Sequence, residues 1–199
     1  MSAIDDIVAR SRLQGGFSSQ RKTFSLARKR AIRKMREFAL ADPYYFVLEL
    51  IQAAVAQGAS YINVRTEGET FVLSYTGGHF REEELAQLFD FLFAGKNRTD
   101  IGHVRELALG LNALLLFQPK RIVVESGDGT LRGTTRMVIL KDAEHVEVGR
   151  SARALRGTFV RCDGLKRWHL RGKTSLEPLP GLPLEVAAIE ERCLTAPIP

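Results

Sequence analysis

The sequence contains few of the residues that build disulfide-stabilised or metal-binding proteins. Its two cysteines, Cys162 and Cys193, show no metal-ligand or redox spacing. The four histidines lie in separate predicted elements and show no ligand spacing either. We therefore expect a reduced, cytoplasmic protein without a disulfide framework or a metal site.

Long apolar runs and common catalytic motifs are also missing. The most apolar stretch, around residues 111–117, is much too short to cross a bilayer, and the first six residues do not resemble a secretory signal. There is no Gly-x-Ser-x-Gly motif, no repeat and no low-complexity segment. Gly95-Lys96 is not a Walker A loop, because Asp90 occupies the position of its first glycine. We expect no transmembrane segment.

The composition is typical of one folded domain. The chain has 199 residues, of which 45% are hydrophobic and 26% are charged, and this length supports a core without covalent staples. The formal net charge is +6, but it is unevenly distributed. Residues 1–40 carry +7 and the rest of the chain carries −1.

Most of the positive charge lies in a predicted amphipathic helix from about Ser25 to Ala39. Its apolar residues recur every three or four positions, at Phe24, Ala27, Ala31, Met35 and Phe38. The candidate basic surface consists of Arg21, Lys22, Arg28, Lys29 and Arg33. A surface of this kind can bind the phosphates of nucleic acid or of an anionic surface. A solvated face that keeps the protein soluble would have the same composition.

The remaining pattern predicts an α+β protein. Asp42-Pro43 is a typical helix start, and the helix that it begins should end at Gly58. Further helices are predicted at residues 3–13, 81–93, 106–117 and 184–193, and a loop at 15–20. Strands are predicted at residues 61–66, 70–75, 121–125, 131–140, 145–148 and 157–162. We expect a two-layer sandwich in which helices cover one face of a mixed, mostly antiparallel sheet.

Three stretches, in this order and at this spacing, resemble the ATPase domains of the GHKL superfamily, which includes gyrase, the ninety-kilodalton heat-shock chaperones and histidine kinases. Residues 48–56, LELIQAAVA, are similar to the N-box helix of that family. Residues 73–80, LSYTGGHF, and 105–114, RELALGLNAL, occupy the places of its two glycine boxes. The resemblance covers about residues 24–170 and implies the Bergerat fold.

The resemblance also implies a division of the chain. A helix and loop extension at residues 1–20 precedes the ATPase-like domain at 21–174. A connector and short helix at 175–199 follow, and we expect them to lead to a further domain of a longer protein. Some family members dimerise through their N-terminal segment, so a homodimer through residues 1–20 is a further expectation.

The residues depart from the family pattern where the nucleotide would be contacted. The N-box face, which in the family carries Glu, Asn and Asp, here carries Glu49, Ala53 and Ala56. The family's Glu activates water and its Asn holds magnesium, but alanine offers no oxygen ligand. Tyr75 replaces the Asp that accepts a hydrogen bond from adenine, and its ring would fill part of the adenine pocket.

The glycine boxes are altered as well. In the first box Gly77 is retained but His79 replaces a later glycine. In the second box Arg105 and Ala108 stand where glycines usually form a phosphate-binding turn, and only Gly110 remains. The pocket positions implied by the resemblance are Ala53, Ala56, Tyr75, Gly77, His79, Lys96, Arg98, Arg105, Gly110, Asn112 and Thr158, with Lys96 and Arg98 on a candidate lid.

The sequence therefore predicts a GHKL-like domain with a degenerate ATP site, a non-catalytic regulatory or scaffolding module with a protein partner and no bound cofactor. One alternative is an ATP-binding protein or weak ATPase that uses magnesium and Glu49 as base. Another is a nucleic-acid or anionic-surface binder that acts through residues 21–36. Trp168 either contacts a partner or, as the more ordinary expectation, packs against the rest of the domain. Cys162 is predicted to lie in the core or on a sheet face.

Overall fold

A computed structural model describes residues 17–94, 101–140, 145–178 and 180–193, with the side chains of 17–26 and Arg171 outside that description. The α-helices are α1 (Phe17–Phe38), α2 (Phe46–Ala56), α3 (Glu82–Ala86), α4 (Gly102–Leu114) and α5 (Leu184–Arg192). The strands are β1 (Ile62–Glu67), β2 (Thr70–Tyr75), β3 (Arg121–Asp128), β4 (Thr134–Leu140), β5 (Val146–Arg150) and β6 (Arg156–Asp163). Short 3-10 helices occupy Pro43–Tyr45, Leu88–Phe93, Leu115–Phe117 and Arg167–Lys173.

The six strands form one open sheet in the order β1-β2-β6-β3-β4-β5. Every pairing within the described residues is antiparallel, so the sheet is antiparallel rather than mixed. The last strand, β6, inserts between β2 and β3 and makes the sheet continuous. Helices and sheet share one core, which confirms the predicted α+β sandwich.

The alternation of buried residues fixes which face of each strand meets the helices. In β2 the buried residues are Phe71, Leu73 and Tyr75, while the residues between them are only partly buried. In the register with β6, Leu73 lies opposite Val160 and Tyr75 lies opposite Thr158. Tyr75 therefore points from the end of β2 into the layer between sheet and helices.

Helices α2 and α4 approach each other closely at Gly110. A Cβ atom placed there would lie 2.7 Å from Cδ2 of Leu50 and 3.1 Å from the carbonyl oxygen of Phe46. Glycine thus permits the backbone of α4 to contact α2 directly. Val47, Leu50 and Ile51 of α2 are buried in the same core.

Asp42 begins the segment that leads into α2, as predicted. Its Oδ1 accepts a hydrogen bond of 2.9 Å from the backbone amide of Tyr44 at the start of the 3-10 turn. Its Oδ2 accepts bonds of 2.8 Å from the Thr174 hydroxyl and 2.7 Å from the Ser175 amide. One buried carboxylate therefore also anchors the segment that precedes α5.

Helix α5 is held against the rest of the core by a buried ion pair. Glu185 of α5 is fully buried, and its Oε1 accepts a 2.7 Å hydrogen bond from Nε of Arg167. Nη1 of Arg167 also donates to the carbonyl oxygen of Gly68 in the β1–β2 turn. The first part of the connector and short helix predicted at 175–199 therefore packs closely on the preceding domain.

Several local predictions were wrong. The loop predicted at 15–20 is helical from Phe17 onwards, since no glycine or proline after Gly16 interrupts the helix. The helix predicted at 81–93 breaks at Gln87, whose φ of −108° and ψ of 18° end α3, and it continues as a 3-10 helix. The helix predicted at 106–117 begins earlier, at Gly102, and the 3-10 helix Arg167–Lys173 was not predicted.

The predicted apolar stripe of the basic helix is also corrected. Phe38 is 78% exposed and Ala27 is exposed, while Ile32 is buried. The helix packs on the domain through the side that carries Ile32, because that side also places Arg36 next to Asn112. The helix predicted at 3–13 lies outside the described residues.

We predict that Gly157→Ala destabilises the protein by about 2 kcal/mol or more. Gly157 has a φ of 95°, and an added Cβ would overlap the carbonyl oxygen of Tyr75 on β2. Gly149→Ala is the matched control, since a Cβ at that strand position meets nothing within 4 Å. Urea unfolding should show a large loss of unfolding free energy for Gly157→Ala and none for Gly149→Ala. Equal unfolding midpoints for the two variants would contradict the close packing of β2 against β6.

Candidate functional site

The three N-box positions lie in different environments along α2. Ala53 is fully buried in the core, Ala56 is exposed, and Glu49 is partly buried. The candidate magnesium-ligand position at Ala53 therefore offers a methyl group that packs in the core. Of the three, only Glu49 carries a functional group.

Glu49 forms a carboxyl pair with Glu106 of α4. The two side chains are hydrogen-bonded, and one of them must carry a proton to donate that bond. Burial, the hydrogen bond and the charge of Glu106 raise the pKa of Glu49 to about 8, while nearby Arg105 acts in the opposite direction. At neutral pH the protonated form of Glu49 is therefore favoured, and Glu49 is not a free carboxylate base.

Arg105 lies at the edge of the carboxyl pair. Its Nη1 is 3.5 Å from Oε1 of Glu106, and its Nε is buried without a hydrogen-bond partner among the described residues. We call Glu49, Arg105 and Glu106 the carboxyl cluster. Of its members the sequence predicted Glu49 and Arg105 but missed Glu106, although Glu106 immediately follows Arg105 in the second box.

The first glycine box forms a second, separate cluster around Tyr75. Its ring is 4% exposed, and its hydroxyl donates a 2.8 Å hydrogen bond to Oε1 of Gln57. Burial raises the pKa of the Tyr75 hydroxyl far above its usual range, against a lowering effect of its hydrogen bond with Thr158. Thr158 also shares a 2.7 Å hydrogen bond with Ser126, whose Oγ accepts from the Phe80 amide at 2.8 Å.

We call Gln57, Tyr75, Ser126 and Thr158 the tyrosine network. Its hydrogen bonds join the end of α2 to β2, and β3 to β6. The sequence predicted Tyr75 and Thr158 at this place. The sequence missed Gln57, because its bond to Tyr75 depends on where α2 ends. It also missed Ser126, because its bond to Thr158 depends on the strand register.

The loop after Tyr75 closes against the end of α2. Gly77 has a φ of 122°, and a Cβ there would lie 2.9 Å from the carbonyl oxygen of Gln57. The amide of Gly78 donates a 2.8 Å hydrogen bond to that same oxygen. Gly77 thus serves a backbone contact within the protein. His79, two residues further on, is exposed.

The positions of the second box have structural contacts too. Ala108 is fully buried, and Gly110 lies against Leu50. Asn112 is buried and tethers α1, since its Oδ1 accepts from Nε of Arg36 at 3.2 Å and its Nδ2 donates to the Ile32 carbonyl at 3.1 Å. Lys96 and Arg98, the candidate lid residues, lie outside the described residues.

The other predicted residues occupy the surface or the core. Arg28, Lys29 and Arg33 are exposed on α1, while the side chains of Arg21 and Lys22 are not described. Cys162 is buried, as predicted.

Trp168 is 64% exposed and stacks on His169 with ring centroids 3.5 Å apart. The expectation that Trp168 is a packing residue was therefore wrong. Its place in the 3-10 helix Arg167–Lys173 turns it outward, while Leu170 of the same helix is buried.

The described residues contain no group of three or more acidic, histidine or cysteine side chains placed to hold a metal ion. No single helix in the described ranges is long and apolar enough to cross a membrane. One pair of helical segments, Ala27–Phe38 and Pro43–Ala56, together meets the length and composition criteria for a membrane span, but the pair is bent by 107°. No protein-family model matches the chain, and no curated protein matches it significantly.

We predict that the stability of the protein falls as pH rises from about 5 to about 8. The folded state holds a proton on Glu49 that the unfolded chain releases at lower pH, so rising pH favours unfolding. For one proton the slope cannot exceed about 1.4 kcal/mol per pH unit. Glu49→Gln keeps a hydrogen-bond donor without the charge and should flatten this slope in urea unfolding series.

Glu147→Gln is the control for this measurement, because it removes one exposed carboxylate of β5. It should leave the slope unchanged. A wild-type protein whose stability rises over the same pH interval would contradict the raised pKa of Glu49.

Proposed function

We propose that this chain is a GHKL-like domain that has lost nucleotide binding and serves as a regulatory or scaffolding module that binds a protein partner. The observation that carries the proposal is the tyrosine network. In the resemblance to the first glycine box, Tyr75 stands where the family's aspartate would meet adenine. Tyr75 is buried and its hydroxyl donates to Gln57, so this group is not presented to an adenine amine.

The magnesium position supports the same proposal. Ala53 and Ala56 provide no oxygen donor, and magnesium requires a nearly complete set of oxygen ligands. The residues present therefore do not fit a magnesium–triphosphate group, and we derive no catalytic step through one. Glu49 does not replace the missing ligand, because its carboxyl group is engaged with Glu106.

A protein partner is the other half of the proposal. Trp168 presents a large aromatic surface beside Arg167, and exposed tryptophan is enriched among the residues that dominate binding energy in protein interfaces. This surface lies in the 3-10 helix after β6 and not at the tyrosine network. Partner binding is thus independent of an open nucleotide pocket.

A weak ATPase remains the second candidate, and one observation favours it. A carboxyl group with a pKa near neutrality, beside an arginine, is a common feature of catalytic sites. In that case Glu49 would act only when ionised, so turnover should increase as pH rises through about 8. The non-catalytic proposal predicts no turnover at any pH.

We predict that calorimetric titration with a non-hydrolysable ATP analogue gives no binding heat at millimolar concentration, with or without magnesium. The physical reason is that the tyrosine network and the buried Ala53 leave neither adenine nor magnesium contacts. Micromolar binding would contradict the proposal. So would magnesium-dependent ATP turnover that Glu49→Gln abolishes and the control Glu147→Gln retains.

A further inference from the structure

Helix α1 is attached to the domain along only one side. Ile32 is buried there, and Asn112 of α4 bonds to both the Ile32 carbonyl and the Arg36 guanidinium. One turn earlier, Arg28 forms an ion pair with Asp90. These contacts hold the helix in a fixed orientation and use two of its basic residues.

The opposite side of α1 carries basic residues that the domain does not use. With 3.6 residues per turn, Arg30 and Lys34 lie about 160° around the helix from Ile32, and Arg33 lies about 100° from it. All three are exposed, and none forms an ion pair within the described part of the chain. We call Arg30, Arg33 and Lys34 the outer basic face, and exposed Lys29 adjoins it.

The charge of α1 is nearly all of one sign. Its 22 residues include eight lysines and arginines, while Glu37 at its C-terminal end is the one acidic residue. Arg30, Arg33 and Lys34 lie within about 6 Å of one another along the helix axis. The phosphates of one strand recur about every 3.4 Å along a duplex, so this spacing complements neighbouring phosphates better than isolated anions.

The chemistry of the outer basic face selects among anionic partners. A second copy of the helix would repel this one, since both carry the same charge. Insertion into a lipid surface needs an apolar face, but the exposed apolar side described for α1 offers Ala27 and Phe38, of which only Phe38 is large. The face carries no aromatic side chain to stack on unpaired bases. These features favour the backbone of a duplex.

We propose that the outer basic face of α1 is a binding surface for the phosphate backbone of duplex nucleic acid. The surface reads no base sequence, because Arg30, Arg33 and Lys34 meet phosphates. Its formation depends on the contacts of Ile32 and Arg36 that turn it away from the domain. It does not depend on the proposed loss of nucleotide binding.

The test measures binding of the full chain to a labelled DNA duplex of about 30 base pairs and mixed sequence, by fluorescence anisotropy over a salt series. The affected variant carries Arg30→Gln, Arg33→Gln and Lys34→Gln together. We expect at least about a tenfold loss of affinity, and a slope of log affinity against log salt that is smaller by roughly two to three. Glutamine is a good helix former, so the helix should persist in circular dichroism.

The matched control carries Arg65→Gln, Arg132→Gln and Arg150→Gln, which removes three exposed charges elsewhere. It should bind the duplex nearly as well as the wild type. Equal loss in both variants would overturn the proposal, because it would show an effect of net charge alone. Absence of duplex binding would also overturn it, and so would stronger binding to vesicles of phosphatidylcholine and phosphatidylserine, which would assign the face to lipid.

Discussion

The close contact between α2 and α4 is the constraint on which the candidate site depends. Gly110 lets the two helices approach until only Leu50 and a backbone carbonyl separate them, and a larger residue would push them apart. This packing brings Glu49 against Glu106 and encloses Ala53. The raised pKa of Glu49 is a consequence of that packing, since burial and a neighbouring carboxyl group both disfavour its charged form. The feature that most resembles catalytic machinery is thus produced by helix packing.

The tyrosine network joins the sheet to this helical layer. Tyr75 reaches from β2 to Gln57 at the end of α2, and Thr158 and Ser126 continue the hydrogen bonds across β6 and β3. Buried polar groups of this kind are stable only when each finds a partner, so the network ties the positions of strands and helix to each other. A ligand that entered here would have to break bonds that the protein already makes, and this cost is the physical basis of the proposed loss of nucleotide binding.

The sequence predicted those features that depend on local pattern. A strand at residues 70–75 and a helix start at Asp42 before proline were both predicted. The sequence did not predict contacts between residues that are distant in the chain. These are Glu49 with Glu106, Tyr75 with Gln57, and Arg36 with Asn112. The last pair also explains why the side of α1 that packs was misjudged, since hydrophobic spacing favoured Phe38 while a polar tether fixed the helix. Sheet order shares this limit, because the chain's last strand enters the middle of the sheet.

In the proposed function, the chain's own side chains fill the places where the resemblance would put a nucleotide. Amide chemical-shift mapping by NMR tests this most directly, with magnesium and ATP added to the isotope-labelled protein. We expect no saturable shifts at Gln57, Tyr75, Gly77 and Thr158, because these residues keep their internal partners. Saturable shifts that cluster at these four residues would contradict it, since they would show that the nucleotide enters the tyrosine network and displaces its bonds.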